Sequence, residues 1–134
     1  MKHLIEILPT HPHPTPFGST DAWQQLIKAT GDCAATCQGC ADACLAEEKL
    51  DMLRRCIQTD IACAKICETT LSLLLTQTAR DDSLVRAQVE TCEKACGMCA
   101  KECEQHAQMH AHCRICAEAC RACEKACRAA LAAA

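Results

Sequence analysis

The stretch CEKACGMCAKEC, residues 92–103, carries cysteines at intervals of four, three and four residues. At about 100° per residue, these four positions fall within about 60° of one another around a helix. The stretch CAATCQGCADAC, residues 33–44, repeats the same intervals. The spacing therefore predicts two α-helices that each present one face made of thiols.

Two more rows of cysteines extend this pattern. Residues 113–127 carry five cysteines at intervals of three, four, three and four. Cys56, Cys63 and Cys67 form a shorter row, in which Asp60 occupies the position that would complete the spacing. All sixteen cysteines of the chain thus lie on four predicted helices, each with a thiol face.

Composition places the chain among all-α single domains. The 134 residues suit one domain, and half of them are apolar although Phe17 and Trp23 are the only large aromatic residues. Glycine and proline are scarce after residue 18 and alanine is abundant, which favours helix throughout. The net charge of -3, with both signs interspersed, offers no basic patch for nucleic acid.

Capping residues and short connections predict an antiparallel up-down-up-down four-helix bundle in residues 19–134, after a tail of residues 1–18 that contains proline and histidine. The candidate N-caps are Ser19, Thr20, Asp21, Asp51 and the segment 81–83. The helices are predicted to end near Glu48, Thr78, a turn at Met109 and Leu131. A single helix from residue 83 to 131 would be about 70 Å long and would leave its thiols in water, which is why we expect that turn.

The positions of the cysteine rows sort the predicted core into two ends. The thiols gather near the connections at residues 50 and 109. At the other end, steps of three and four along the rows reach Trp23, Leu26, Leu71, Leu74, Val85, Val89 and Leu131. These residues are expected to form an aliphatic plug, stabilised by about 1.5–3 kcal/mol for each fully buried side chain.

The sequence predicts a cytosolic protein with reduced thiols and no membrane partner. The run MKHLIEILPTHPHPTP lacks the layout of a signal peptide, and no apolar run reaches the roughly 18 residues of a membrane span. Cysteine clusters in the cytosol more often serve metal binding or catalysis than disulfide formation. No nucleophile, base and acid form a recognisable set, so we do not expect an enzyme.

The cysteines have explanations other than bound metal ions. Sixteen matched positions exceed what small buried hydrophobes would need. Disulfides require Cα atoms within about 7 Å, whereas packed helix axes stand about 8–10 Å apart. The CxxC pairs lack the strand-to-helix context of a thioredoxin, and the bacterial ferredoxin run is absent from the sequence. Iron–sulfur clusters stay open as an alternative, since sixteen ligands could hold them.

Charge and softness favour copper over zinc. Thiolates select Cu(I), zinc or iron–sulfur clusters. Zinc ions with four thiolates each would leave about eight negative charges in the core, whereas about one Cu(I) per thiolate would make the core neutral. Cu(I) also accepts two or three sulfurs, so pairs such as Cys33 and Cys37, or Cys92 and Cys96, could hold an ion on one helix.

The repeated CxxxCxxCxxxC motif, at residues 33–44 and 92–103, resembles the bacterial cytosolic copper storage proteins. The resemblance covers about residues 20–131 and implies a homotetrameric bundle that stores and buffers many Cu(I) ions, for detoxification and later supply. The implied ligands are Cys33, Cys37, Cys40, Cys44, Cys56, Cys63, Cys67, Cys92, Cys96, Cys99, Cys103, Cys113, Cys116, Cys120, Cys123 and Cys127. A ferredoxin-like electron carrier, a zinc-thiolate protein and a metallochaperone remain alternatives.

Asp60, His106 and His110 are further candidate metal ligands. Asp60 lies in a thiol row, where a buried carboxylate is costly unless it is paired or metal-bound, and the competing explanation is a solvated edge position. His106 and His110 continue the row 92–103 by three and four residues, so they are predicted to line the open end. Met52, four residues before Cys56, could add a thioether.

The other histidines are not expected to bind metal. His112 is predicted to lie in a surface turn. His3, His11 and His13 are predicted to be disordered with the tail rather than to form a site.

Overall fold

The computed structural model describes residues 1–15 and 20–133, and the regular structure in these ranges is helical. A short α1 (Lys2–Ile7) and a 3-10 turn (Leu8–Thr10) precede four long helices. The long helices are α2 (Asp21–Leu45), α3 (Arg54–Leu75), α4 (Asp82–Glu104) and α5 (Ala111–Ala133), with a second 3-10 turn (Leu50–Leu53) before α3. None of the described helices is long and apolar enough to span a bilayer.

The four long helices pack as an antiparallel bundle. Helix α2 contacts α3 and α5, and α4 contacts the same two helices. The thiol contacts show the direction of α2 and α5, since Cys44 lies beside Cys113 whereas Cys33 lies beside Cys120. The predicted all-α fold, an up-down-up-down four-helix bundle with a cysteine-lined core, is confirmed.

Two predicted helix boundaries are confirmed in detail. Asp81 is the N-cap of α4, because its Oδ1 accepts a hydrogen bond from the Leu84 backbone N–H at 3.1 Å. The chain leaves α4 through a turn at residues 105–110, which contains Met109 as predicted. Thr20 precedes α2, and Ser19 lies outside the described residues.

The connection between α2 and α3 differs from the prediction. Asp51 does not cap a long helix: it lies in the second 3-10 turn, and its Oδ1 accepts from Arg54 Nε at 2.9 Å. The N-cap position of α3 is Leu53 instead of Asp51, so α3 starts two residues later than expected. The two helices also end earlier than predicted, α2 at Leu45 and α3 at Leu75.

The two ends of the bundle differ in chemistry. We call the end with the connections 46–53 and 105–110 the thiol end, and the end with the connection 76–81 the aliphatic end. Five residues of the predicted plug are buried, each with an exposed fraction of 5% or less: Trp23, Leu26, Leu74, Val85 and Val89. Leu71 and Leu131 are only partly buried, and Ile27 adds a fully buried side chain that the rows did not indicate.

The described part of the tail is folded against the aliphatic end, which contradicts the predicted disorder. Leu8 is 3% exposed, and its carbonyl oxygen accepts from Gln77 Nε2 at 3.0 Å. The Thr15 backbone N–H donates to Gln77 Oε1 at 2.7 Å. His11 Nε2 contacts Thr78 Oγ1 at 2.9 Å. The prediction rested on the position of these histidines in a terminal, proline-containing segment, whereas Leu8 supplies an apolar anchor.

Candidate metal centre

The sixteen cysteines fill the interior of the bundle between its two ends. All are free thiols, and each is at most 2% exposed. The Sγ contacts between Cys37 and Cys120 and between Cys33 and Cys63 are 3.5 and 4.0 Å. A disulfide would require about 2.05 Å, so these are contacts between unbonded sulfurs. The intervals of three and four keep each row on the inward face of its helix.

Thiols one turn apart on the same helix already have the spacing of metal ligands. The Sγ atoms of Cys33 and Cys37 are 3.8 Å apart, and those of Cys92 and Cys96 are 4.0 Å apart. An ion with three sulfur ligands at about 2.3 Å would hold those sulfurs about 4.0 Å apart. The Sγ–Sγ contacts between helices and those within one helix therefore both suit a soft ion with two or three thiolate ligands.

The candidate metal sites share their ligands. In each group the four Sγ atoms lie within 4.8 Å of one another. Such groups include Cys33/Cys63/Cys67/Cys96, Cys33/Cys37/Cys63/Cys120, Cys37/Cys99/Cys116/Cys120 and Cys67/Cys92/Cys96/Cys123. Cys33 and Cys63 belong to the first two groups, so those two sites cannot both be closed zinc sites with four ligands of their own. Shared sulfurs instead suit bridging thiolates in a continuous cluster.

Asp60 lies inside the thiol core. Its side chain is fully buried, and its Oδ1 accepts from the thiols of Cys99 at 3.1 Å, Cys116 at 3.2 Å and Cys103 at 3.5 Å. Burial first, and then the neighbouring Cys116 and Cys99, raise the pKa of Asp60 to about 12. The carboxyl group is therefore protonated in the metal-free core. The competing explanation of a solvated edge position is wrong.

Cys44 and Cys113, two thiols near the thiol end, are held in the neutral form when no metal is bound. Burial raises the pKa of Cys44 to about 11, and the charge of Cys40 adds to the effect. Burial likewise raises the pKa of Cys113. Because a thiol must lose its proton to bind a metal ion strongly, metal binding at these two thiols releases protons.

His106 and His110 line a cavity of about 440 Å³ at the thiol end, together with Met52. His106 Nε2 lies 3.1 Å from Glu102 Oε2, and His110 Nδ1 lies 2.5 Å from Glu47 Oε2. The predicted position of both histidines at this end thus agrees with the structure. Their action on copper stays a prediction.

His112 lies against the thiols, contrary to the prediction of a surface turn residue. Its Nδ1 is 3.5 Å from Cys40 Sγ, 3.6 Å from Cys113 Sγ and 3.8 Å from Cys44 Sγ. These four residues form a group with metal-ligand spacing. Burial lowers the pKa of His112, but the hydrogen bonds to Cys40 and Glu47 outweigh it, and the pKa is raised.

The sequence contains a signal for His112 that the cysteine count obscured. Residue 112 precedes Cys116 by four, which is the interval that places two residues on the same helix face. The expected turn near Met109 left the first residue of α5 undefined, and α5 in fact begins at Ala111. His112 is therefore in the first turn of the helix and continues its thiol row.

Comparison with known proteins agrees with this geometry. The family model described as copper storage protein matches residues 19–132. No curated protein sequence matches the chain. Among solved structures, the Streptomyces lividans copper storage protein loaded with 10 copper equivalents has 42% sequence identity and a TM-score of 0.90, over 96% of this chain and 98% of that one.

Two further solved structures are similar. The cytosolic copper storage protein from Streptomyces lividans with five coppers has 45% identity and a TM-score of 0.82, over 84% of this chain and 93% of that chain. The Cu(I)-bound copper storage protein BsCsp3 has 31% identity and a TM-score of 0.72, over 81% and 96%. With a family match across most of its length and relatives above 40% identity, the chain belongs to the copper storage protein family.

Proposed function

We propose that this protein stores many Cu(I) ions per chain and buffers them, for detoxification and later supply. The observation that carries this proposal is the network of sixteen buried thiols that share their neighbours. Thiolates prefer Cu(I), and about one ion per thiolate leaves the core without net charge. The copper-loaded relatives support it. The family is one of storage proteins, and we propose no catalysis for this member.

An anaerobic Cu(I) titration of the reduced protein, with a chelator competing for the metal, tests this function. We expect uptake to continue beyond about ten Cu(I) per chain and to approach about one per thiolate, because that ratio neutralises the buried charge. A parallel Zn²⁺ titration is the control and should saturate at far fewer ions. Saturation with Cu(I) at about four ions would instead favour separate four-thiolate sites and contradict storage.

We propose that copper enters and leaves at the thiol end. The aliphatic end is closed by Leu26, Leu74 and the tail residue Leu8. At the thiol end, imidazoles and the thioether of Met52 line the cavity. These groups bind Cu(I) more weakly than thiolate does, which suits residues that pass an ion to the thiols below.

Replacing both cavity histidines tests this route. The His106→Ala/His110→Ala variant should take up and release Cu(I) several-fold more slowly, with nearly unchanged capacity, because its thiols remain. Stopped-flow uptake and chelator-driven removal measure both rates. The matched control is His11→Ala/His13→Ala, which removes two histidines at the aliphatic end. If only that control, or Leu71→Ala at the same end, changed the rates, copper would enter at the aliphatic end.

We further propose the organisation of the working protein. Residues 19–134 form the copper-binding domain, and residues 1–18 precede it as an N-terminal segment that packs on this domain through Leu8. The bundle assembles as a homotetramer, as the family resemblance implies, and acts in the cytosol like the cytosolic relative from Streptomyces lividans. Sedimentation of the copper-free and loaded protein measures the assembly state.

A further inference from the structure

One carboxylate oxygen contacts two imidazoles at the thiol end. Oε2 of Glu47, in the connection between α2 and α3, lies 2.5 Å from His110 Nδ1 and 3.2 Å from His112 Nε2. The two rings are stacked, with centroids 5.3 Å apart and planes 21° from parallel. Glu47 thereby joins the α2–α3 connection to the start of α5.

This contact decides which nitrogen of His112 can bind a metal ion. An ionised carboxylate only accepts hydrogen bonds, so the imidazole nitrogen that faces Glu47 must carry the proton. In a neutral imidazole the other nitrogen, Nδ1, then keeps its lone pair. That nitrogen lies 3.5 Å from Cys40 Sγ and 3.6 Å from Cys113 Sγ, on the side of the thiols.

We propose that Glu47 is a positioning residue for copper at the thiol end, which acts by fixing the tautomer and ring orientation of His112. The inference rests on the proposed function and adds Glu47, which lies outside the cysteine rows. Metal-binding histidines usually donate their second N–H to a carboxylate, carbonyl or water, which orients the ring and raises its basicity. Glu47, His112 and the neighbouring thiols reproduce that arrangement with a carboxylate from a different segment of the chain.

The neighbouring Glu48 provides a matched control. It lines the same cavity as Glu47 and carries the same charge, but its side chain is exposed. The hydrogen bonds and ion pairs to imidazole at this cavity involve Glu47 and Glu102. Comparing Glu47→Ala with Glu48→Ala therefore separates positioning of His112 from general attraction of a cation to the cavity.

The tautomer can be measured without copper. In ¹⁵N NMR of the reduced, copper-free protein, we expect His112 of the wild type and of Glu48→Ala to carry its proton on Nε2. Glu47→Ala should lose this preference and show a shift toward the Nδ1–H form. An unchanged Nε2–H tautomer in Glu47→Ala would overturn the proposal. Far-UV circular dichroism confirms that both variants are folded.

Copper competition supplies the second measurement. In Glu47→Ala we expect the Cu(I) bound beside His112 to lose about 10–100-fold in affinity, the usual effect of removing the partner of a metal-binding histidine. The total number of ions should stay the same, and Glu48→Ala should match the wild type. Equal affinities in the two variants would overturn the role of Glu47. A wild type that fails to load beyond about four ions would instead refute storage, and the tautomer measurement would still test Glu47.

Discussion

The reduced, copper-free protein is expected to give the far-UV circular dichroism spectrum of a mostly helical protein. Small zinc modules unfold without their ion because little else holds them together. Here the aliphatic end buries Leu26, Ile27, Leu74 and Val89 completely, and none of these side chains depends on metal. Each contributes about 1.5–3 kcal/mol by burial. A coil-like spectrum under reducing, chelating conditions would show that copper, not the aliphatic end, holds the fold.

A substitution at the aliphatic end measures that contribution directly. Leu26→Ala should lower the free energy of unfolding of the copper-free protein by about 2–5 kcal/mol, the range for large-to-small changes at fully buried sites. The matched control is Leu84→Ala, since Leu84 lies near the same end but is 57% exposed. The control should stay within about 0.5 kcal/mol of the wild type in urea unfolding.

The copper-free protein is also expected to lose stability as the pH rises, because of Asp60. The folded state raises the pKa of this carboxyl to about 12, from about 3.9 in an unfolded chain. Its favourable contribution is therefore fully present below about pH 4 and is lost progressively as the pH rises toward the folded value. The free energy of unfolding should fall by at most about 1.4 kcal/mol per pH unit from this group.

The Asp60→Asn variant should remove that slope, since an amide has a similar shape and does not ionise. Between pH 5 and pH 7, urea unfolding should show a difference of up to about 2.7 kcal/mol between the pH responses of wild type and variant. The control is Asp42→Asn, which changes an exposed aspartate on α2. Parallel pH profiles for wild type and Asp60→Asn would mean that the buried carboxyl does not resist ionisation.

The cysteine spacing predicted most of the fold because it indicates both that a segment is helical and which face of that helix is buried. Intervals of three and four specify which face of each helix is buried, and four matched faces can be satisfied together only in a bundle. The same spacing placed Asp60 on the buried face, although periodicity alone could not exclude a solvated edge. In the structure the Asp60 side chain is 0% exposed, which excludes the solvated edge.

The features that sequence did not predict depend on contacts between distant segments. His112 turns toward Cys40 and Cys44 only because α5 starts beside the end of α2. The described tail is folded because the Leu8 carbonyl oxygen accepts a hydrogen bond from Gln77, which is 69 positions away in the chain. The contact between Leu8 and Gln77 leaves no periodic signature, since periodicity reports on neighbours within one helix. The four-residue step from His112 to Cys116 places His112 on the thiol face but does not specify its contacts with α2.

The contrast between the two ends of the bundle has a consequence for the order of exchange. Leu26 and Leu74 close the core at one end. If ions travel only through the end near His112, the core has a single entrance that also serves as its exit. Ions beside Cys92, near the aliphatic end, would then be the first to have been bound, and those beside Cys44 and Cys113 the last. Under this condition withdrawal would follow the reverse order of loading, so ions deep in the core would exchange slowly and ions near the thiol end would exchange quickly.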